Sequence, residues 1–209
     1  MQSLHKLCNM VYWLALALWL GALMSAGIAA GSTFSVLTKM DISIARYSEF
    51  VPNETAVPKA HENLAAGHVL EPVFWITHAV QFITIPLVIL TLAAQLLFFR
   101  QQKNIFSNLI RTVCIIIAAC LFAYQTFALS LPMNQDMRAY WEAAAEGDIQ
   151  TALFHRSELR SRHETATIIL LSTLSLVVIA TAASAAAMTP LTVKKSEPIL
   201  QTPQLAGNK

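Results

Sequence analysis

Residues 73–99 read VFWITHAVQFITIPLVILTLAAQLLFF, 27 positions without a single Asp, Glu, Lys or Arg. A helix needs about 20 apolar residues to cross a hydrocarbon core of about 30 Å, so this run is long enough to span a membrane at a tilt. Three more apolar runs, at 10–30, 109–131 and 168–188, meet the same criterion. Charged residues make up 12% of the 209-residue chain and hydrophobic ones 56%. A soluble domain carries about 25% charged residues, so this composition belongs to an integral membrane protein. The expected fold is all-α, a four-transmembrane-helix bundle with helical extensions on the outer side.

The domain layout follows from the same runs. Residues 1–9 form a short N-terminus, 10–188 a four-helix transmembrane domain, and 189–209 a tail that Pro198, Pro203 and its polar composition mark as disordered. A signal peptide is the rival reading of the first run, since Ile28-Ala29-Ala30 resembles a cleavage site. Its apolar stretch is longer than the about 7–15 residues of a signal h-region, which favours a retained helix. Pro86 predicts a kink in the second span, because proline lacks the N–H and crowds the carbonyl of Phe82. Residues 100–111 read as a short loop, and Pro132 as the end of the third span. Pro52 and Pro58 interrupt residues 39–71, whose second half has helix formers leading into the second span. Between the third and fourth runs, Gly147-Asp148 signals a turn, and the pairs Glu158/Arg162 and Arg160/Glu164 support a helical lead-in.

Orientation comes from the basic residues. One side of a four-span layout collects Lys6, Arg100, Lys103, Arg111, Lys194, Lys195 and Lys209 against Glu197 alone. The other side mixes seven Lys/Arg with eleven Asp/Glu over longer segments. Basic residues in short loops stay inside, which puts both termini in the cytoplasm of a multi-pass cell-membrane protein. Small residues recur along the first span, including Gly27-Ile28-Ala29-Ala30-Gly31. We expect them to pack within the bundle, with homo-oligomerisation through Gly27 and Gly31 as the alternative.

The ionisable residues at the mouth of the second span are the candidate site. On a helix His68, Glu71, Trp75 and His78 share one face, and His155 and His163 lie in the lead-in to the fourth span. Imidazoles from two helices can hold a haem axially or bind copper or zinc. The metal candidates are His68, Glu71, His78, His155 and His163, and His78 with His163 is the cofactor pair. The spacing carries no diagnostic motif such as H-x-x-x-H or C-x-x-C-H, and none for a catalytic residue. Interfacial His, Trp and Tyr also anchor spans at headgroup level, which favours a packing or partner-binding role. The absence of a Lys or carboxylate deep in any run argues against a pump, and no basic–aromatic cluster suggests nucleic acid. Cys8, Cys114 and Cys120 give no disulfide framework or zinc spacing.

Several short motifs resemble the little-characterised four-helix membrane family typified by transmembrane protein 205. They are Trp19-Leu20-Gly21, Phe34, Ala66-Gly67 with Phe74, Pro132-Met133, and Phe154 with Leu159-Arg160-Ser161. Two positions depart from that pattern. Gly31-Ser32-Thr33 stands where the family often has a Pro, and Ser157-Glu158 where it tends to have a His, with His155 shifted. The resemblance implies a four-helix membrane fold and no established catalytic activity. A weaker similarity to copper-resistance membrane proteins rests only on outer-side His and Met.

Overall fold

The computed structural model describes residues 2–40, 42–52, 57–98 and 105–188. They form helices α1 (Gln2–Leu37), α2 (Ala60–Leu97), α3 (Ile105–Tyr124), α4 (Ser130–Ala145) and α5 (Ile149–Met188), with a short 3-10 turn at Ala45–Tyr47. A π-turn at Gln125–Leu129 fuses α3 and α4 into one rod. Four rods are therefore long and apolar enough to cross a membrane: Ser3–Leu37, Ala60–Leu97, Ile105–Ala145 and Ile149–Ala187. The chain is an all-α four-helix bundle of the multi-pass membrane class. Arg100 and Lys103 of the connection before α3, and the tail with Lys194 and Lys195, lie outside the described residues.

α1 packs along α2, and the α3–α4 rod along α5. Trp19 meets Gln81 while Cys8 meets Thr91, so α1 and α2 run antiparallel. The central core draws from all four rods: Tyr12, Leu16, Trp19 and Leu23; Ile85, Val88 and Leu92; Ile115, Ala118 and Phe122; Val177 and Ala180. Leu14, Leu18, Ile83, Leu90, Ile116, Leu171 and Val178 face outward instead. An inverted surface of this kind is what lipid contact requires. The rods of 35 to 41 residues measure about 53–62 Å at 1.5 Å per residue, well beyond a hydrocarbon core of about 30 Å.

The excess length is gathered at one end, called the cap below. There α4, the first turns of α2 and α5, residues 44–50 and Val57 share a separate core of Tyr47, Phe50, Val57, Leu64, Tyr140, Ala143, Ala144 and Ala152. α2 starts just past Pro58, as the sequence predicts. Its N-cap, Lys59, adopts the left-handed conformation (φ 56°), which few non-glycine residues take, and its Nζ donates to the Thr38 carbonyl. This contact ties the end of α1 to the start of α2. Gly147 has φ +73°, the turn needed between α4 and α5. A Cβ there would lie 3.1 Å from Glu49 Cβ.

Three expectations need correction. The helix does not stop at Pro132, because the π-turn before it re-spaces the carbonyls around Ala128 that the ring would strike, and Ser130 Oγ donates to the Gln125 carbonyl at 2.9 Å. Gly27 and Gly31 do not pack within the bundle: both are exposed, with nothing within 4 Å of a Cβ placed on either. Arg111 is not a loop residue but lies inside α3, fully buried.

Candidate functional site

His68 and His155 have partners in the cap, whereas His78 lies farther along α2 against Phe122 of the central core, so the predicted ligands have separate surroundings. The His68 ring stacks at 3.9 Å on Trp141 of α4, and its Nε2 lies 2.7 Å from the Tyr47 hydroxyl. Tyr47 is buried, and burial pushes its phenol above the ordinary value. The phenol therefore stays neutral and able to donate to the imidazole. Gly67, one position earlier, admits the Trp141 ring at 3.5 Å from where a Cβ would stand. Glu71 is only half-buried. Trp75, on the same helical face, is 74% exposed and points away from the bundle. The shared face of α2 therefore divides between the cap and the outside.

His155 Nδ1 lies 3.3 Å from Asp136 Oδ1 on α4, and Arg162 Nε lies 3.1 Å from Asp136 Oδ2. The Arg162 contact pairs charges without an aligned hydrogen bond. Arg162 also reaches Glu158 at 3.5 Å, and Arg160 meets Glu164 at 3.3 Å, so both sequence-predicted i,i+4 pairs form. Asp136 has an α5 side chain against each oxygen, which suits cross-linking α4 to α5 better than binding a metal. His61, which lies outside the predicted ligand set, pins the 42–52 segment. The Ile44 N–H points to its Nδ1 at 3.4 Å, and its Nε2 faces the Phe50 carbonyl at 3.1 Å. His163 is exposed on α5. Among the described residues no three His, Cys, Asp or Glu side chains converge to hold a metal ion.

His78 differs from the others. Its Nδ1 lies 3.0 Å from the Phe74 carbonyl, an acceptor, so Nδ1 carries the proton. Nε2 is buried and has no hydrogen-bond partner among the described residues, and in a neutral ring it would hold the lone pair, while the ring packs against Phe122 of α3. Neutral imidazole in this tautomer is the ligating form. The structure places this single nitrogen in the bundle without a second ligand beside it.

A second polar cluster, at the terminal end of the bundle, escaped the sequence reading. Arg111 Nη1 donates to Gln95 Oε1 at 3.1 Å, and its guanidinium lies 5.9 Å from the centre of the Tyr12 ring. The Tyr12 hydroxyl is 2.6 Å from Ser184 Oγ on α5, which in turn donates to the Ala180 carbonyl. Arg111, Gln95, Tyr12 and Ser184 are each fully buried. A usable signal existed: Arg111 begins the stripe Arg111, Ile115, Ala118, Phe122 at helical spacing, and all four are buried. Higher in the bundle, Trp19 Nε1 donates to Gln81 Oε1 at 3.2 Å, a membrane-depth bridge between α1 and α2. No family model, curated protein or solved structure matches this chain.

Proposed function

We propose that the chain is a non-enzymatic, multi-pass cell-membrane protein whose cap binds a partner. Both termini lie in the cytoplasm and the cap faces outward, following the distribution of basic residues. One observation carries the reading: His61, His68 and His155 each engage the cap's own backbone or side chains. These groups hold a platform in shape. On its surface Phe154, Val51 and Val69 stand 61%, 72% and 53% exposed, isolated apolar side chains suited to docking. The resemblance to the transmembrane protein 205 family supports the four-helix membrane fold within this reading.

A photo-crosslinker at Phe154 or Val51 in intact membranes tests it. One discrete adduct, lost when the other apolar residue becomes Ser, is the expected result. Labelling only of lipid, or of many proteins equally, would remove the partner. Orientation is checked with a single reactive Cys at Glu146 in a cysteine-free background, which an impermeant reagent should label from outside.

His78 supports a second reading, a haem-, copper- or zinc-binding role, with His163 as the other axial candidate. The buried lone pair on its Nε2 favours it. A colourless, metal-free preparation from replete cells would eliminate this reading. A Soret band that His78→Ala abolishes would establish it. Self-association is assigned to the open face of α1 at Gly27 and Gly31, beside an apolar groove of about 240 Å³ against Leu170 and Leu174. Gly27→Leu should shift the mass in detergent if that face pairs two copies.

A further inference from the structure

The geometry at the terminal end of the bundle points to a binding site for a phosphate-class oxyanion, gripped by Arg111 and Gln95. Arginine binds carboxylate or phosphate most strongly through the side-on fork of Nε and Nη2, two parallel donors with fixed spacing. Among the described residues that fork meets no aligned acceptor, because the hydrogen bond to Gln95 uses Nη1. The same contact fixes the Gln95 amide, and its Nε2 is a third buried donor without a protein acceptor. All three groups donate, and one carries full positive charge.

The demand on an occupant is therefore specific. A neutral acceptor satisfies donors but leaves the charge buried, at a cost that proteins normally avoid by pairing it. Among the described residues no ion pair includes Arg111. The segments at this end of the chain contain one acid, Glu197, against seven basic residues. Tyr12 stands beside the guanidinium, with its ring centre at 5.9 Å and its hydroxyl as a further polar neighbour, but it offers only a neutral partner and no counter-charge. An anion with several acceptor oxygens meets both requirements.

Depth identifies where it comes from. Arg111 lies less than two turns from the start of α3, about 9 Å along the axis. Gln95 and Ser184 lie within about one turn of their own helix ends. The headgroup layer occupies about 5–8 Å on each face of a bilayer. The fork thus lies near phosphate depth, where a lipid headgroup or a free phosphate provides the same chemistry.

The test uses the full chain, delipidated in a phosphate-free maltoside detergent, alone, with phosphatidylglycerol, or with inorganic phosphate at about 10 mM. Thermal unfolding and washed bound phosphorus are read together. A rise in Tm on the order of 5 °C is expected with an occupant bound. If only phosphatidylglycerol produces it, the occupant is a lipid headgroup; if inorganic phosphate does so too, it is a free oxyanion. Equal Tm in all three conditions overturns the site. Arg111→Lys keeps the charge but loses the fork, and should reduce the shift at least twofold. Gln95→Glu supplies a carboxylate beside the guanidinium, so this variant should be more stable in detergent alone and unresponsive to either phosphate source. A wild-type response from Gln95→Glu, or loss of the response in Lys6→Gln, would assign the effect to general surface charge and overturn the proposal.

Discussion

At the cap, Asp136 meets His155 on one oxygen and Arg162 on the other, and His68 sits between Tyr47 and Trp141. At the terminal end, Arg111 meets among the described residues the Gln95 amide oxygen and the neutral side chain of Tyr12. Both regions join helices through polar groups, but only the first supplies opposite charge. The cap is a small folded unit with its own aromatic core, in which polar residues specify how α4, α5 and the 42–52 segment fit together. The terminal end buries a cation inside a membrane bundle and, among the described residues, gives it no ion-pair partner. A polar cluster that completes itself reads as architecture, whereas one that remains incomplete asks for a ligand.

If the cap is a separate unit, it should open without the bundle. Phe50 is fully buried in the cap core and makes an edge contact with Tyr140. Phe50→Ala should cost the cap about 3–5 kcal/mol. Limited proteolysis should then cut within residues 42–59 while the spans stay protected. Simultaneous loss of cap and spans would show one cooperative unit and dissolve the contrast between the ends.

Asp136→Asn sharpens the same contrast from the charge side. It leaves His155 and Arg162 without their shared carboxylate, and partial exposure limits the cost to about 1–2 kcal/mol. Hydrogen exchange should rise at the α4–α5 contact and remain unchanged near Arg111. Between the two ends, Gln81→Leu removes the acceptor of the Trp19 N–H. Buried hydrogen bonds between membrane helices average about 0.6 kcal/mol and reach about 1.7 kcal/mol, so unfolding in mixed micelles should shift by that amount. A shift well above that range would make the midplane bridge the dominant polar contact.

The spans were legible because 27 uncharged residues in a row admit few alternatives. The cap was legible in part. The i,i+4 pairs on α5 and the Gly147 turn are local signals, and both appear in the structure. The fused α3–α4 rod was not, since Pro132 is a breaker by local rules and only the π-turn preceding it absorbs the clash. The terminal cluster was hidden for another reason. Its members come from four helices, so no spacing links Tyr12, Gln95, Arg111 and Ser184. Counting Arg111 as a topology marker also drew attention from the apolar stripe that it begins. The histidines had the opposite problem: their clustering in sequence suggested ligation, while their neighbours, Tyr47, Trp141 and Asp136, lie well apart from them along the chain.

The smallest effect concerns the start of α5. Asp148 is solvent-exposed, and its Oδ1 accepts the Thr151 N–H at 3.1 Å, the geometry of a helix N-cap. Hydrogen bonds from the Thr151 side chain and then its backbone hold the carboxyl below its ordinary value of 3.8. A depressed folded pKa means that the carboxylate stabilises the cap above about that pH and loses this contribution as pH falls through the folded value. Asp148→Ala should therefore lower cap protection slightly at neutral pH, and the gap from wild type should close in acid. Asp148→Asn keeps an acceptor without the charge, so its difference from wild type isolates the ionised component. If the Ala variant's deficit persists unchanged below the folded pKa, the cap depends on the oxygen rather than on the charge. The cap would then be held by neutral geometry at this corner, and the contrast with the charged terminal end would rest on Asp136 alone.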